Sequence, residues 1–440
     1  MTYDLSFDAL KVTRFDSEGR IVEVPTTDLE NTHLDSVWAI HDGLHRADAV
    51  LAVKEVMNRR RNYLFASNKT DSEFVTEIFK YLQNIYSEPE GIMAFLTSGS
   101  TGAPKVVVHT VDTLIVSATK IVEAYPEVAN RCFHHMFPTT YVAGILNCII
   151  VPIVAKGSIF LDEEFNFTSS FKFAKNTEKS GSEIAWLSPG MIASITALPN
   201  RFKLSQNVLK LVLSATGHLT TEIRIKGEEM FGCKVLNTYG TSEQLFISGE
   251  RLSEGTVTLG EPFSGVNVSY SRISESFEKS QLYEVLVITD TNPVCVLNLN
   301  LDSLEVSENS FDTEAIYTRD LVYFRENLPI AAGRIDDIVV LGGVNISLSQ
   351  IETTANTFPG LLDSCARAEV GGTSTSIQLL YELEPGKINF GEQDLRTHLQ
   401  SQLSPESMPR GLQEVKFIRS PNGKIQKGKI RTNQMGFIPK

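Results

Sequence analysis

The chain has 440 residues, of which 42% are hydrophobic and 21% are charged, and its formal net charge is −13 at pH 7. This composition is that of a globular protein long enough for two or more domains, and the acidic charge argues against general binding to nucleic acid or to anionic membranes. The five cysteines include no C-x-x-C pair, which argues against a zinc site or a disulfide framework. We find no signal-peptide pattern and no apolar run of the roughly 18 residues that a membrane span needs, so we expect a cytoplasmic protein.

The first 90 residues form a mixed segment. The stretch "ADAVLAVKEVMNRRRNYLFAS" (47–67) predicts an amphipathic helix that leads into a short strand. Its arginine run at Arg59–Arg61 is interpreted as a solvated helix end, with a phosphate-contacting patch as the alternative. The apolar run Ile92–Leu96 then predicts a buried strand.

A loop rich in glycine and hydroxyl groups follows that strand. It reads "TSGSTGAPK" (97–105), and a valine run after it favours a second strand over a helix. Glycines let successive N–H groups face inward around an anion, serine and threonine add hydroxyl donors, and Lys105 adds a positive charge. The spacing differs from the phosphate loop G-x-x-x-x-G-K-[ST]. Phosphate binding is therefore one reading, and a flexible surface turn between two strands is the other.

Strand-length apolar runs alternate with helical patterns from 91 to about 330, which predicts an α/β fold. The segment "TTEIRIKGEEMFG" (220–232) predicts a helix with Gly232 at its C-terminal cap. The polar segment "SRISESFEKS" (271–280) is predicted to be a loop. After Gly333 a smaller unit begins with a hairpin-like pair and a helix, and the chain ends in the basic tail "SPNGKIQKGKIR".

Five separated motifs occur in a fixed order: "TSGSTGAPK", "FPTTYVAG" (137–144), "NTYGTSE" (237–243), "YTRDL" with "AGRIDDIVVLGGVNISLSQIE" (317–352), and "SPNGKI" (420–425). In this order they resemble the adenylate-forming superfamily of acyl- and aryl-CoA ligases, nonribosomal adenylation domains and luciferases. The resemblance covers roughly 91–431. It implies a large N-terminal domain of mixed sheets flanked by helices (1–334) and a small, mobile α+β C-terminal domain (335–440).

The resemblance also implies a reaction. Such enzymes use ATP and Mg²⁺ to convert a carboxylate into an acyl-AMP, and they then usually pass the acyl group to a thiol. The implied catalytic residues are Lys424, Ser242 and Glu243, with Glu243 also the Mg²⁺ ligand. The implied nucleotide-binding residues are Thr97, Ser98, Gly99, Ser100, Thr101, Gly102, Lys105, Thr216, Gly217, Tyr239, Gly240, Thr241, Asp320 and Arg334. Tyr239 would stack on adenine, and Asp320 would accept both ribose hydroxyls.

The motifs depart from the superfamily pattern at a few positions. Val106 stands where a glycine is usual, Tyr141 where the acid-side gate usually carries a histidine, and Arg319 where a glycine usually precedes the ribose aspartate. The adenine-lining segment falls on residues 215–217, and Ser242 replaces the commoner threonine. None of these changes removes a charged catalytic group.

The acid and the acceptor follow from the same comparison. The second motif, with Tyr141 and Gly144 at the gate, lacks the aspartate that pairs an α-ammonium group, so we expect an organic acid without an α-amino group. Gly342 and Gly343 would let a pantetheine arm pass, although a tight hairpin turn explains them equally well. CoA is favoured over a carrier-protein phosphopantetheine because an acidic chain gains no steering toward acidic carriers. A non-catalytic adenylate-binding relative is the remaining alternative. The pivot between the half-reactions would be Asp336.

Overall fold

The structure is a computed structural model that describes residues 10–16, 18–24, 37–68, 70, 72–98, 104–277, 280–299, 306–310, 315–341, 344–371, 374–383, 391–403, 405–419, 425, 427–431 and 437–439. These residues divide between two compact units. The larger takes those within Met1–Gly99, Ala103–Val268 and Val287–Ala315, and the smaller takes those within Ser269–Leu286 and Ile316–Lys440. The boundary predicted at residue 334 falls inside the smaller unit and stays a prediction.

Helices and strands alternate along the chain in both units. The helices are α1 (Asp48–Met57), α2 (Ser72–Ile85), α3 (Val111–Ala124), α4 (Val142–Ile145), α5 (Val151–Val154), α6 (Phe167–Ser170), α7 (Phe173–Ser180), α8 (Pro189–Thr196), α9 (Thr221–Phe231), α10 (Leu348–Asn356), α11 (Glu392–Gln402) and α12 (Lys427–Arg431). A π-helical turn, Leu146–Ile150, joins α4 to α5, and short 3₁₀ turns lie at Pro126–Val128, Asn200–Phe202, Ile335–Asp337 and Pro405–Ser407.

The strands fall into five sheets. In chain order they are β1 (Val12–Phe15), β2 (Ile21–Glu23), β3 (Trp38–His41), β4 (Asn62–Phe65), β5 (Ile92–Ser98), β6 (Pro104–Thr110), β7 (Cys132–His135), β8 (Ser158–Leu161), β9 (Ile184–Leu187), β10 (Leu211–Ser214), β11 (Lys234–Thr241), β12 (Leu245–Gly249), β13 (Glu261–Pro262), β14 (Val266–Phe277), β15 (Ser280–Thr289), β16 (Cys295–Leu299), β17 (Val306–Ser310), β18 (Ile316–Arg325), β19 (Leu328–Arg334), β20 (Ile338–Leu341), β21 (Val344–Ser347), β22 (Leu361–Gly371), β23 (Ser374–Leu383), β24 (Gly411–Phe417) and β25 (Phe437–Pro439).

A nine-stranded sheet organises most of the larger unit. Its strand order is β13-β12-β11-β10-β9-β7-β8-β1-β2, and its centre from β8 to β11 is parallel. Parallel neighbours need long crossovers, and the helices between these strands supply them. Because such strands are buried on both faces, they are nearly all apolar. The strand β9, Ile184–Leu187, is buried at every position.

A second sheet of the larger unit has the order β17-β16-β6-β5-β4-β3. Its apolar face packs with α2 through a cluster of buried residues that includes Trp38, Phe74, Ile78 and Val106. Strands β3, β4 and β5 run parallel, and β5 pairs antiparallel with β6. The motif "TSGSTGAPK" therefore begins in β5 and ends in the antiparallel neighbour β6, where Thr97 pairs with Lys105.

The smaller unit holds most of the four-stranded sheet β14-β15-β18-β19, the hairpin β20-β21 and the sheet β22-β23-β24-β25. Helices α10 and α11 cover the last sheet, with Ile351, Leu379, Leu395 and Leu399 fully buried between them. The hairpin and helix expected after Gly333 are present.

These observations confirm the α/β class, the helix and short strand predicted within 47–67 and the helix predicted over 220–232. Gly232 caps that helix with φ 68°, the left-handed conformation that glycine adopts without strain. The prediction of a loop over 271–280 is wrong, because β14 extends to Phe277 and β15 begins at Ser280. In the part of the chain that the structure describes, no helix is long and apolar enough to cross a membrane.

Candidate active site

Two of the motifs and the predicted adenine-lining segment lie at the carboxyl ends of parallel strands in the nine-stranded sheet. The segment 137–144 follows β7, the segment 215–217 follows β10, and the motif "NTYGTSE" covers the end of β11. In open α/β sheets, ligands bind outside the carboxyl ends of the strands. The fold therefore brings motifs that are up to about a hundred positions apart in sequence to one edge of one sheet.

The turn after β11 has a backbone that only a glycine fits. The pairing of β11 with β12 shifts register at Tyr239 and Gly240. A Cβ on Gly240 would lie 2.1 Å from the carbonyl oxygen of Leu245, a backbone atom that cannot move aside. The backbone N–H of Gln244 donates to Thr241 Oγ1 at 2.9 Å, which closes the turn. Within the described residues, the Thr241 hydroxyl is thus engaged in the turn.

Lys105 and Glu243 are brought together by this turn. The ammonium group of Lys105, on β6, forms an ion pair with the carboxylate of Glu243, and the two side chains keep 28% and 20% of their exposure. His109, on the same strand, lies beside the adjacent residue, with Nε2 2.8 Å from the carbonyl oxygen of Ser242. Two contacts therefore join the second sheet to the turn at "NTYGTSE".

The segment "FPTTYVAG" contacts the end of β3. His41 Nε2 lies 2.8 Å from Thr139 Oγ1, and both side chains are buried. Tyr141 precedes α4, and burial raises the pKa of its hydroxyl. A Cβ on Gly144 would lie 1.8 Å from the carbonyl oxygen of Pro138, so the close approach of helix and loop requires glycine there. The gate position predicted for Tyr141 is thus fixed by tight backbone packing.

Thr216 has an unusual backbone. Its φ is 69°, which is a sterically costly conformation for a β-branched residue. Its hydroxyl oxygen is buried and has no hydrogen-bond partner among the described residues. A strained backbone and an unsatisfied hydroxyl at the end of β10 are features that cluster at ligand sites.

In the smaller unit, Asp320 and Arg334 lie opposite each other on β18 and β19. Arg334 Nη1 donates to Asp320 Oδ1 at 2.8 Å. Asp336, the predicted pivot, is held by Arg319, whose Nε donates to both carboxylate oxygens at 2.9 and 3.1 Å. Arg319, one of the residues that depart from the superfamily pattern, is therefore the ion-pair partner of the predicted pivot.

A charged cluster anchors helix α12, which lies just after Lys424 in sequence. Glu352, buried in α10, receives hydrogen bonds from Lys427 and from Arg431 Nη2, the latter at 2.8 Å. Arg431 also pairs with Asp337, the residue after the predicted pivot. Nearby positive charge keeps the pKa of Glu352 below its ordinary value in spite of burial, which by itself acts in the opposite direction.

Part of the predicted site lies outside the described residues. Of Ser98 only the backbone, at the end of β5, is described. The predicted residues outside the description are Gly99, Ser100, Thr101, Gly102, Gly342, Gly343 and Lys424.

The sequence analysis gave no role to His109, which contacts the turn after β11. His109 comes directly after the valine run 106–108 of β6 and is fully buried, and this burial lowers its pKa to about 4. A histidine within an apolar strand was the available signal, but its partner, the carbonyl group of Ser242, is 133 positions away.

Comparison with known proteins assigns the chain to a family. The family model described as "AMP-binding enzyme" matches residues 36–269. A malonate–CoA ligase of Arabidopsis thaliana is 23% identical over 61% of this chain and 46% of its own length. A benzoate–CoA ligase of Thauera aromatica is 25% identical over 76% of this chain and 64% of its own length. The chain thus spans less than two thirds of either relative.

The fold has solved counterparts. The crystal structure of ATP-bound MatB from Rhodopseudomonas palustris superimposes with a TM-score of 0.75 over 97% of both chains, at 15% sequence identity. The two-domain adenylating fold expected from the motifs is confirmed by this likeness, and the predicted enzyme class, an AMP-forming acid–thiol ligase, is confirmed by the CoA-ligase relatives. The chain belongs to the AMP-binding enzyme family and hence to the adenylate-forming superfamily.

Proposed function

We propose that the chain is an ATP-dependent carboxylate ligase that forms an acyl-AMP and then transfers the acyl group to the thiol of CoA. The observation that carries this proposal is the meeting of Lys105 with Glu243 at the carboxyl end of β11. A lysine from the glycine- and hydroxyl-rich loop and a carboxylate from the turn "NTYGTSE" are the two charges that a polyphosphate and its cation need. Family membership and the names of the relatives support the same reaction.

The first half-reaction exchanges one bond at phosphorus for another. A carboxylate oxygen of the acid forms a bond to the α-phosphorus of ATP, and the bond to the bridging oxygen of the β-phosphate breaks. Pyrophosphate leaves with that electron pair. Lys105 would bind the departing phosphates, and Ser242 would donate to the α-phosphate. Lys424 would bridge the attacking carboxylate and the phosphate oxygens, where negative charge shifts in the transition state.

The donor set fits a magnesium ion held in part by substrate. No group of three or more potential ligands among His, Cys, Asp and Glu occurs in the described part of the chain. Magnesium is commonly bound through one or two carboxylates and the phosphates of a substrate. Glu243, partly exposed at 20% and next to a positive charge, is such a carboxylate. When bound there, the ion would supply positive charge that offsets the charge of the phosphates.

The motifs also supply the groups that would recognise the nucleoside. Tyr239, half-buried at the end of β11, would stack on adenine, and the segment with Thr216 and Gly217 would line the base. Asp320 would accept the ribose hydroxyls, and Arg334, already bonded to Asp320, would hold that carboxylate in orientation. The unsatisfied hydroxyl of Thr216 is the local observation that supports a ligand on this side.

The second half-reaction would use the thiol of CoA. Its sulfur loses its proton to solvent and forms a bond to the acyl carbon, the bond between that carbon and the phosphate oxygen breaks, and AMP leaves with that electron pair. Gly342 and Gly343 would line the path of the pantetheine arm. Rotation of the small C-terminal domain about Asp336 would withdraw Lys424 after the first half-reaction and bring these glycines into place for the second. A carrier-protein phosphopantetheine presents the same thiol.

The acid proposed is an organic acid without an α-amino group. No aspartate follows "FPTTYVAG", and the helical run after it, which is buried from Gly144 to Ile153, is apolar apart from Asn147. A free ammonium group would be costly there without a carboxylate partner. The acids in the names of the two relatives, malonate and benzoate, both lack an amino group.

The test is carboxylate-dependent exchange of labelled pyrophosphate into ATP across a panel of acids, followed by thioester formation with CoA or a carrier protein. We expect exchange with at least one acid and a thioester with CoA. Lys424→Ala should lower exchange about 10²–10³-fold, whereas Lys429→Ala, a nearby basic residue, should not. If the acyl group is found on a carrier protein and not on CoA, the acceptor is the carrier-protein phosphopantetheine. No exchange with any acid would favour a non-catalytic relative.

A further inference from the structure

The turn between β11 and β12 carries Ser242 and Glu243, two residues of the proposed reaction. Leu245, the first residue of β12, has a φ of 60°, a left-handed conformation that is costly for a bulky residue. Such a conformation persists only where the surrounding structure fixes it. His109 on β6, with Nε2 2.8 Å from the carbonyl oxygen of Ser242, is one such contact from outside the turn.

Two more buried side chains hold the backbone of this turn. The hydroxyl of Thr291, in the segment between β15 and β16, donates to the carbonyl oxygen of Gln244 at 3.0 Å. The N–H of Phe246 donates to Ser117 Oγ, on α3, at 3.2 Å. Thr291 and Ser117 are fully buried, so solvent does not reach these bonds. The turn is therefore fixed from three sides: β6, α3 and the segment after β15.

The hydroxyl of Thr291 is oriented by a chain of donors that starts at Lys120. Lys120 Nζ donates to Thr289 Oγ1 at 3.2 Å, and the N–H of Thr291 donates to the same oxygen at 3.2 Å. Because both lone pairs of Thr289 Oγ1 are used, its proton points to Thr291 Oγ1, which at 2.8 Å is the nearer of its two acceptors. Thr291 then directs its own proton to Gln244. The bonds of such a chain polarise and strengthen one another.

Lys120 is an unusual residue for its place in the core. Its side chain is 4% exposed, and it forms an ion pair with Asp290, which is 57% exposed. The other buried residues of α3, a helix described throughout, are apolar apart from Ser117, which lies three positions earlier and hence on the same face. A buried ammonium group is costly unless its protons are bonded. The polar part of this helix face thus serves the turn and the groups that support it.

From these contacts we propose that Thr291, oriented by Lys120, is a positioning residue that holds Ser242 and Glu243 in place for acyl-AMP formation. The proposal rests on the ligase function proposed above, in which Ser242 donates to the α-phosphate and Glu243 holds Mg²⁺. A shift of about 1 Å in groups of this kind can lower a rate about 10²-fold. The hydroxyl of Thr291 acts through the carbonyl group of Gln244 and does not itself contact the substrate.

The test compares variants that differ by one buried hydroxyl group. Thr291→Val keeps the shape of the side chain and removes the donor, whereas Thr291→Ser keeps the donor. Thr177→Val is the matched control, because Thr177 is also fully buried and donates its hydroxyl to a carbonyl group, that of Phe173 within α7. Each variant is measured by hydrogen exchange of the amides of residues 242–246, which does not depend on the reaction, and by pyrophosphate exchange at varied Mg²⁺.

Lys120→Met tests the direction of the chain of hydrogen bonds. Methionine fills a similar volume without a donor, and the exposed carboxylate of Asp290 can be left to solvent. Because the lysine acts through the threonine, the double variant with Thr291→Val should exchange pyrophosphate no more slowly than Thr291→Val alone. If the two changes reduce the rate independently, Lys120 does not act through Thr291.

We expect Thr291→Val to exchange the amides of the turn about tenfold faster than the parent. It should also lower kcat for pyrophosphate exchange about tenfold or more and raise the Mg²⁺ concentration for half-maximal rate. Thr291→Ser and Thr177→Val should behave like the parent in both measurements.

The positioning role is overturned if the turn amides exchange alike in Thr291→Val and Thr177→Val, if Thr291→Val keeps the kcat of the parent, or if serine fails to restore it. Absence of pyrophosphate exchange in the parent with every acid would instead overturn the ligase function. In that case the amide comparison still decides whether the hydroxyl group of Thr291 holds the turn.

Discussion

Lys105 and Glu243 form an ion pair although 138 positions separate them in the chain. Lys105 lies at the start of β6 in the six-stranded sheet, and Glu243 comes just after β11, the last parallel strand of the nine-stranded sheet. The pair therefore brings the lysine of the predicted phosphate-binding motif to the predicted magnesium ligand, and each group is the other's charge partner.

Glu243→Gln tests the metal role. An amide oxygen is a weaker ligand for a hard cation than a carboxylate, so we expect the Mg²⁺ concentration for half-maximal pyrophosphate exchange to rise about tenfold. Raising Mg²⁺ should restore part of the rate. Glu254→Gln, at an exposed glutamate of the same unit, is the control. If the Glu243 variant keeps the Mg²⁺ dependence of the parent, Glu243 is not the metal ligand.

The pH dependence of stability tests the burial of His109. Burial lowers the pKa of His109 to about 4 from an ordinary value of 6.5. Between these values the unfolded chain binds a proton that the folded chain does not, so the free energy of unfolding should decrease as pH falls from about 7 to about 4. At pH 5 the contribution amounts to about 2 kcal/mol.

The measurement is urea unfolding at pH 7 and at pH 5. Compared with the parent, His109→Gln should lose less stability between the two values, because glutamine does not titrate. His45→Gln, at an exposed histidine, should behave like the parent. His41 is buried with the same lowering of its pKa to about 4, so the parent's slope also contains its contribution. An unchanged slope in the His109 variant would contradict this account.

Glu352→Gln tests the anchor of the tail that follows Lys424. The side chain of Glu352 is 3% exposed and pairs with Lys427 and Arg431. Removing one partner of a buried ion pair leaves the others uncompensated, and we expect a loss of about 3 kcal/mol in the free energy of unfolding. Glu222→Gln, in an exposed pair with Lys226, should cost less than about 1 kcal/mol. Equal losses in the two variants, measured by urea unfolding, would show that the cluster is not an anchor.

Much of the fold follows from local patterns in the sequence. The apolar runs at 92–96 and 184–187 form strands that are largely buried on both faces, and such strands carry no polar alternation. The polar run after Tyr270 was misread as a loop because β14 has few apolar residues, and nothing local shows that a neighbouring strand will pair with it.

The site divides in the same way. Motif order named Tyr141, Tyr239 and Asp320 as site residues, and those roles stay predictions. It did not predict that Lys105 would pair with Glu243 or that Thr291 would bond to the turn after β11, because such contacts depend on which elements the tertiary fold brings together. The φ of 69° at Thr216 could not be predicted either, because a threonine in the sequence does not indicate a left-handed backbone.

Arg319 and Asp336 supply the last prediction, which concerns the proposed alternation between half-reactions. Arg319 has a φ of 64° and holds the Asp336 carboxylate through Nε. Arg319→Gly relieves a backbone strain of about 1 kcal/mol and removes an ion pair in which the arginine is 55% exposed, an interaction worth less than about 1 kcal/mol. Stability should therefore change little, while the pivot loses its restraint.

Asp336→Pro removes the same ion pair but restricts the backbone. Asp336 lies in the 3₁₀ turn Ile335–Asp337, where φ is close to the value that proline imposes. The variant should hold the pivot in its present conformation, so single-turnover thioester formation from preloaded acyl-AMP should fall about tenfold or more, with pyrophosphate exchange largely retained. Arg319→Gly should transfer at the parent rate or faster, because it removes the ion pair without fixing φ. If Asp336→Pro transfers at the parent rate, rotation about this residue is not required; if both variants slow equally, the ion pair and not the backbone is responsible.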